Sequence, residues 1–151
     1  MTSRTKTSSA PLEDRIFVTL LRIADAFALE SEQFLKSVGL TGAQYNVLRI
    51  LRGAQPEGLA CRAIGERMIS HDPDITRLLD RMEKRGHITR ERQTDDRRVV
   101  ITRITPEGLA TLKPLDEPVH VLHRRQFQHM PASRLKALVE LLDEVMQRDE
   151  K

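Results

Sequence analysis

The sequence predicts a mainly α-helical fold with one small β-hairpin, an α+β arrangement. Three observations support this prediction. Apolar residues recur at helical spacing through most of the 151 residues. Aromatic residues make up only 3%, with no Trp, so the core has to come from aliphatic side chains, as in helices packed on helices. Residues 87–104 are instead rich in β-branched side chains on both sides of a charged connection.

Bulk composition places the chain in a reducing compartment. Its single cysteine, Cys61, excludes an intrachain disulfide. The polar first residues lack the apolar run of a signal peptide, and no stretch approaches the 18 or so apolar residues of a membrane span. We therefore expect a cytoplasmic protein with no membrane partner.

Charge is concentrated in the middle of the chain. The net charge is only +3, but residues 62–103 hold eleven Lys and Arg against eight Asp and Glu. Such an excess is typical either of an anion-binding surface or of an ordinary solvated face, and both readings stay open at this point.

The N-terminal part predicts a tail and two helices. Residues 1–11 are polar and are expected to form a flexible tail. Residues 12–38 carry apolar side chains at helical spacing, and Gly39 ends that helix. A second helix is predicted over 41–53, where Gln44 completes a capping box.

Two further helices are predicted before the hairpin. The first is short and covers 62–69. The second begins with Asp72 as N-cap and Pro73 in its first turn, and Gly86 ends it in a left-handed conformation. The inward-facing residues are Ile64 and Met68 in the first helix, and Ile75, Leu78, Leu79 and Met82 in the second.

The C-terminal third predicts a hairpin followed by helices. Strands are expected at 87–90 and 99–104, joined by the charged tip 93–98. Thr105 and Pro106 then open a helix by the same logic of a cap followed by a proline. We expect Pro114 and Pro118 to interrupt this helix, and a closing helix to run over 131–147.

This order of elements predicts a winged helix-turn-helix. In such a fold the second helix is anchored by an inner stripe while its outer face enters the major groove of DNA. Arg77 is suited to pair with guanine, and Thr and Lys side chains commonly hold phosphates. Ser70 and His71 precede the helix N-terminus, whose free N–H groups favour a phosphate. The outer face carries Thr76 at its flank, then Arg77, Asp80, Arg81 and Lys84.

The hairpin tip supplies a second candidate contact. Arg97 or Arg98 is suited to a narrow minor groove, where the negative potential of DNA is strongest. Asp96 is expected to stabilise this wing by pairing with an arginine. Taken alone, however, the tip also fits an ordinary solvated loop.

Four segments resemble the MarR family: Ile75–Gly86, Ile88–Arg90, Thr94–Arg98 and Ile104–Gly108. Within the third, Asp96-Arg97-Arg98 matches the Asp-x-Arg motif of that family's hairpin. The resemblance extends over nearly the whole chain. It implies a homodimer with interlocking terminal helices, and a ligand pocket between those helices and the DNA-binding lobe. It also implies that Thr76 and Arg77 touch the major groove and Arg98 the minor groove.

Dimerisation also has a physical argument of its own. The striped terminal helices are more than one small core can cover, so we expect them to meet a second subunit. Residues 12–151 are thus predicted to form one domain. Its lobe spans 41–104, and its dimerisation helices span 12–38 and 105–149. The paired lobes would read half-sites about 34 Å apart.

Other candidate sites carry less specific signals. A redox role for Cys61 competes with simple burial. A zinc site at His120, His123 and His129 competes with a place near a dimer seam or a pocket. An effector cavity lined by Phe27, Phe34, Tyr45 and Met68 competes with ordinary core packing. We predict no catalytic site, no metal and no cofactor, since no catalytic motif is present.

The sequence therefore predicts a homodimeric, sequence-specific transcriptional regulator. It is expected to be a repressor that binds operator DNA and that a small-molecule effector releases from it. Two alternatives remain. One is a winged-helix module that binds protein through the same face, and the other is a zinc-responsive regulator of the same fold.

Overall fold

The computed structural model describes residues 10–147, which fall into two compact units that meet between Gly42 and Ala43 in the chain. Most of the predicted tail, residues 1–9, lies outside the described residues. Within the described range no helix has the length and apolar character of a membrane span.

The first unit consists of one long helix, α1 (Leu12–Ser37). It ends as the sequence predicts. Gly39 has φ +76°, and its N–H donates to the Lys36 carbonyl while the next N–H donates to the Leu35 carbonyl. These two hydrogen bonds satisfy carbonyls that the end of the helix leaves open, and only glycine adopts this conformation without strain.

The second unit is a helical array with a three-stranded sheet. Its elements are α2 (Gly42–Gly53, whose first residue belongs to the first unit), β1 (Leu59–Ala60), α3 (Cys61–Arg67), α4 (Ile75–Lys84), β2 (Ile88–Arg92), β3 (Val100–Ile104), α5 (Pro106–Leu112), a 3₁₀ turn (Lys113–Leu115), α6 (Asp116–Phe127) and α7 (Ala132–Met146). The predicted α+β class, mainly helical with a small wing, is confirmed.

Aliphatic side chains from helices and strands form the core of this unit, as the scarcity of aromatic residues predicts. The residues with almost no exposed surface include Val47, Leu48, Leu51, Ile64, Leu78, Leu79, Met82, Ile88 and Leu112. The predicted inner stripe of α4 is therefore buried at three of its four positions, while Ile75 is half-buried. Burial of this stripe fixes which face of α4 points outward.

Sequence reasoning missed one strand. β1 pairs antiparallel with β3, so that Leu59 lies opposite Thr102, and β3 is the central strand between β1 and β2. A strand of only two residues carries no periodic signal in the sequence, and the pairing of β1 with β3 depends on a partner far along the chain. The hairpin thus supplies two strands, β2 and β3, of a three-stranded sheet.

Three helix boundaries differ from the predictions. α3 ends at Arg67, so Met68 lies beyond the helix in extended backbone and is half-buried. The N-cap of α4 is Asp74, whose Oδ1 accepts the Arg77 N–H at 3.3 Å, and not Asp72. Pro118 lies in the first turn of α6 and does not interrupt it, because an N–H is not needed there; the break is at the 3₁₀ turn that contains Pro114.

His87 lies at the junction of α4, the sheet and α5. Its carbonyl accepts the Thr105 N–H at 3.0 Å, and the residue is 8% exposed. Nε2 lies 3.5 Å from the Thr111 hydroxyl, and Nδ1 has no hydrogen-bond partner among the described residues. Burial, with a smaller contribution from Arg85, holds the pKa of His87 below its usual 6.5.

We expect this histidine to make the fold weaker in acid. The unfolded chain binds the proton more readily than the folded chain. With respect to this group, the free energy of unfolding is therefore greatest above about pH 6.5 and decreases as the pH falls below that value. Urea unfolding midpoints at pH 7.5 and pH 5.5, compared between the wild type and His87→Gln, should show a smaller acid loss in the variant. An equal loss in both proteins would contradict a role for His87.

Candidate nucleic-acid interface

The outward face of α4 is rich in exposed cations. Its inner stripe is anchored in the core, so the opposite side chains project away from the protein. Thr76, Arg77, Arg81 and Lys84 are all exposed. The structure thus brings together, on one helix face, the four α4 residues that the sequence singled out.

Arg77 is held loosely at the start of this helix. Its Nε lies 3.3 Å from Asp74 Oδ2, but its side chain is 79% exposed. An exposed ion pair of this kind contributes little to stability and exchanges readily for another anion. Asp74 therefore orients the Arg77 guanidinium without sequestering it from a base or a phosphate.

The connection between α3 and α4 places further polar groups at the helix start. The Ile69 N–H donates to Asn46 Oδ1 at 2.8 Å, and Asp72 Oδ1 accepts the Asp74 N–H at 2.9 Å. These bonds fix the turn before and after Ser70 and His71, which are both exposed. The two residues precede the N-terminus of α4 as predicted.

The wing tip is built by local hydrogen bonds. The Gln93 N–H donates to the Val99 carbonyl at 2.9 Å, which closes the hairpin. Asp96 Oδ1 accepts the Arg98 N–H at 3.0 Å, and Arg92 Nη1 donates to the Arg97 carbonyl at 2.9 Å. Asp96 therefore fixes the loop by accepting a backbone N–H. The predicted pairing with an arginine side chain does not form within residues 10–147.

These bonds use only the backbones of Arg97 and Arg98. Both residues are exposed at the tip. A loop whose backbone is fixed presents its side chains at lower entropic cost than a mobile loop. The wing thus offers two guanidinium groups that have no hydrogen-bond partner within residues 10–147, just before strand β3.

A separate cavity of about 630 Å³ lies in the second unit. Residues of α2, the 3₁₀ turn and α6 line it. They are Tyr45, Arg49, Lys113, Pro114, Asp116, Glu117, Val119, His120 and His123. Among the four residues predicted for an effector cavity, Tyr45 is part of this lining; Phe27 and Phe34 lie in α1, and Met68 follows α3.

The carboxylates of this cavity are neutralised within the protein. Asp116 receives two hydrogen bonds of 2.9 Å from Arg52, which hold the pKa of its carboxyl below the usual range, and Glu117 pairs with Arg124 at 2.6 Å. By contrast, no ion pair within residues 10–147 engages Arg49 or Lys113. The cavity therefore has a positive balance, which favours an anionic ligand.

The other candidates remain apart from these sites. His120 and His123 line the cavity, while His129 lies in the turn before α7. Within the described residues no three histidine, cysteine or carboxylate side chains converge as metal ligands would. Cys61 is the first residue of α3 and is half-buried.

Sequence reasoning placed Arg90 in a segment that resembles the MarR family but assigned it no role. Its Nη2 donates to Asp80 Oδ1 and, at 3.0 Å, to Glu83 Oε1, so it joins β2 to α4. The signal in the sequence was Asp80, a carboxylate on a helix face proposed to meet phosphates. The arginine that pairs with this carboxylate could not be assigned, because the sequence does not show which residue of the strand after the turn faces α4.

Comparison with known proteins places this geometry in a family. Residues 40–100 match the model of the MarR family. The crystal structure of a MarR transcription factor from Planctomyces limnophilus shares 39% identity, covers 89% of this chain and 97% of its own, and superposes with a TM-score of 0.69. The chain belongs to the MarR family.

Two further relatives of this MarR-family chain are informative. An organic hydroperoxide resistance transcriptional regulator of Bacillus subtilis is 29% identical over 140 residues, which is 91% of this chain and 94% of the relative. A mutant MarR from E. coli, solved in complex with operator DNA, has a TM-score of 0.78 at 22% identity and covers 90% of this chain and 99% of its own. The second likeness establishes the shared fold.

Proposed function

We propose that this MarR-family chain is a homodimeric, sequence-specific DNA-binding transcriptional regulator that represses its target genes in the cytoplasm. The observation that carries the proposal is the exposed cationic face of α4 beside a wing tip with two free arginines. An anchored helix with a free outer face is what major-groove docking requires. The operator-bound relative supports the same use of the fold.

Each exposed group has a role that fits its chemistry. Arg77 reads guanine O6 and N7 in the major groove, and Thr76, Arg81 and Lys84 hold phosphates. Ser70 and His71, with the first N–H groups of α4, bind one more phosphate. Arg97 and Arg98 reach the minor groove from the wing, which Asp96 keeps rigid.

Two substitutions on α4 separate base reading from phosphate binding. Arg77→Ala should weaken operator binding by about 1–3 kcal/mol and relax the preference at one base pair, because it removes a bidentate base contact. Lys84→Ala should weaken operator and unrelated duplexes alike. Titration of both variants against the operator and single-base variants of it measures the difference, and an unchanged preference in Arg77→Ala would remove that residue from the groove.

A gel-shift assay with the DNA upstream of the chain's own gene provides the primary test. Footprinting of the shifted complex should protect two half-sites about one helical turn apart, since a two-fold dimer presents two copies of α4. Protection of a single half-site, or no shift at all, would overturn the proposal.

We further propose that the cavity beside α6 is the effector site and that its ligand is an organic anion. Arg49 and Lys113, which form no ion pair within residues 10–147, supply positive charge, and the Tyr45 ring, 6.0 Å from the Arg49 guanidinium, supplies an apolar surface. A ligand that binds about 100-fold better to the conformation unable to bind DNA shifts the equilibrium by about 2.7 kcal/mol. That shift is sufficient for induction.

Benzoate, a minimal aromatic carboxylate, is a suitable probe of this site. Calorimetry should show that it binds the wild type and that Arg49→Gln weakens binding about tenfold, the effect of losing one charged hydrogen bond. Arg62→Gln is the matched control: this arginine lies on α3 with its side chain exposed, and its replacement should leave binding unchanged. Equal affinity in the wild type and Arg49→Gln would contradict the assignment.

A further inference from the structure

We infer that Arg90 is a positioning residue for DNA binding, which holds the recognition helix α4 to the wing and offsets one of the two negative charges that Asp80 and Glu83 place on that helix. This inference rests on the proposed function and deepens it. Nothing in the motif of the wing tip points to Arg90, since it lies three residues before the tip, inside strand β2.

The geometry of the contact is specific. One guanidinium nitrogen, Arg90 Nη2, donates to Asp80 Oδ1 and to Glu83 Oε1. The Arg90 side chain is 22% exposed, against 44% for Asp80 and 39% for Glu83. The cation is therefore the more buried member, and both carboxylates turn from the outer face of α4 toward the sheet.

The charge pattern of α4 gives this contact its consequence. Asp80 lies three residues after Arg77 and four before Lys84, which are the spacings at which side chains on one helix form ion pairs. Without Arg90, Asp80 would add a negative charge without a fixed partner among these cations and would repel phosphates. With Arg90 in place, the cations of α4 stay available.

The same strand also fixes the wing tip. Arg90 and Arg92 are two residues apart on β2 and so share one face of the strand. Arg90 binds α4, whereas Arg92 binds the Arg97 carbonyl in the tip. Through these two arginines, β2 sets the recognition helix and the minor-groove arginines at one fixed spacing.

The test compares two variants with the wild type in one titration against the upstream duplex and an unrelated duplex. Arg90→Gln exposes both carboxylates and should weaken binding to each duplex roughly tenfold, because like charges placed opposite phosphates oppose binding. It should also lower the magnitude of the slope of log affinity against log salt by about one per protomer. A purely structural role would leave that slope unchanged.

The triple variant Arg90→Gln, Asp80→Asn, Glu83→Gln separates charge from folding. It cannot rebuild the ion pairs, but it carries neither carboxylate, so its cluster is neutral where that of the wild type has a net charge of −1. Binding to the unrelated duplex should therefore recover to at least the wild-type level. The control is Arg103→Gln, which removes the same charge from the same sheet, at a side chain bound to the Pro56 carbonyl and Glu91. It should bind as the wild type does.

Each outcome is decisive. Wild-type affinity and slope in Arg90→Gln would overturn the inference and leave the proposed function intact. The inference also fails if the triple variant stays as weak as Arg90→Gln while both melt at the same temperature. If the wild type itself binds neither duplex, the proposed function fails and the inference falls with it.

Discussion

Raising the salt from about 50 to about 200 mM should weaken operator binding by roughly 10³–10⁵-fold, because bound phosphates release counterions. The physical basis is the number of cations that meet DNA. Each protomer presents five candidate cations, so a dimer makes up to ten phosphate or groove contacts. The five are Arg77, Arg81, Lys84, Arg97 and Arg98. Fluorescence anisotropy with a labelled operator, repeated over a salt series, measures the slope.

This measurement also separates DNA binding from the alternative of a protein-binding winged helix. A protein interface depends on apolar contact and a polar rim, so its affinity changes far less with salt. Arg98→Gln should lower the magnitude of the slope by about one per protomer. Arg124→Gln, whose side chain pairs with Glu117 on α6, should not change it. A total loss below tenfold would favour the protein-binding alternative.

Local signals account for the elements that sequence reasoning located well. Gly39 and Gly86 both have positive φ, because a helix end that folds back on itself needs a conformation that glycine adopts without strain. Thr105 caps α5 through the Gly108 N–H at 3.0 Å, and Pro106 follows it. In each case the cause and the structure lie within a few residues of one another.

The errors arise where local signals compete or where the partner is distant. Asp72 and Asp74 are equally good caps, and the sequence alone does not rank them. In the structure Asp72 is used in the turn, where it accepts the Asp74 N–H, which leaves Asp74 to cap α4. The pairing of β1 with β3 and the bridge from Arg90 to α4 depend on tertiary placement, which periodicity does not encode.

The candidate site follows the same division. The exposed residues of α4 could be predicted, because burial of Leu78, Leu79 and Met82 determines which side chains face outward. The cavity could not, since its lining comes from α2, the 3₁₀ turn and α6, and its charge balance depends on which carboxylates are paired. Arg52 and Arg124 decide that balance from outside the lining.

Introducing glutamates on the apolar face of α7 should convert the dimer to a monomer and reduce operator affinity by roughly 10²–10⁴-fold, the advantage of engaging two linked half-sites. No residue of α7 is buried within the described chain, and Val139 and Leu142 are 58% and 37% exposed. Several apolar side chains of α1 are also exposed, among them Ile16 at 54% and Phe17 at 64%. So much exposed apolar surface indicates an interface.

The double variant Val139→Glu, Leu142→Glu tests this proposal, because a charge buried in an apolar interface without a partner is strongly unfavourable. Since both side chains are exposed in the single chain, the fold of the lobe should survive, and circular dichroism checks that it does. Ala137→Glu is the matched control: it adds a glutamate to the same helix, well away from the apolar stripe, and should leave the dimer intact. Light scattering gives the mass of each variant. If the double variant keeps the dimer mass and wild-type operator affinity, these helices are not the interface, and paired reading of two half-sites needs another basis.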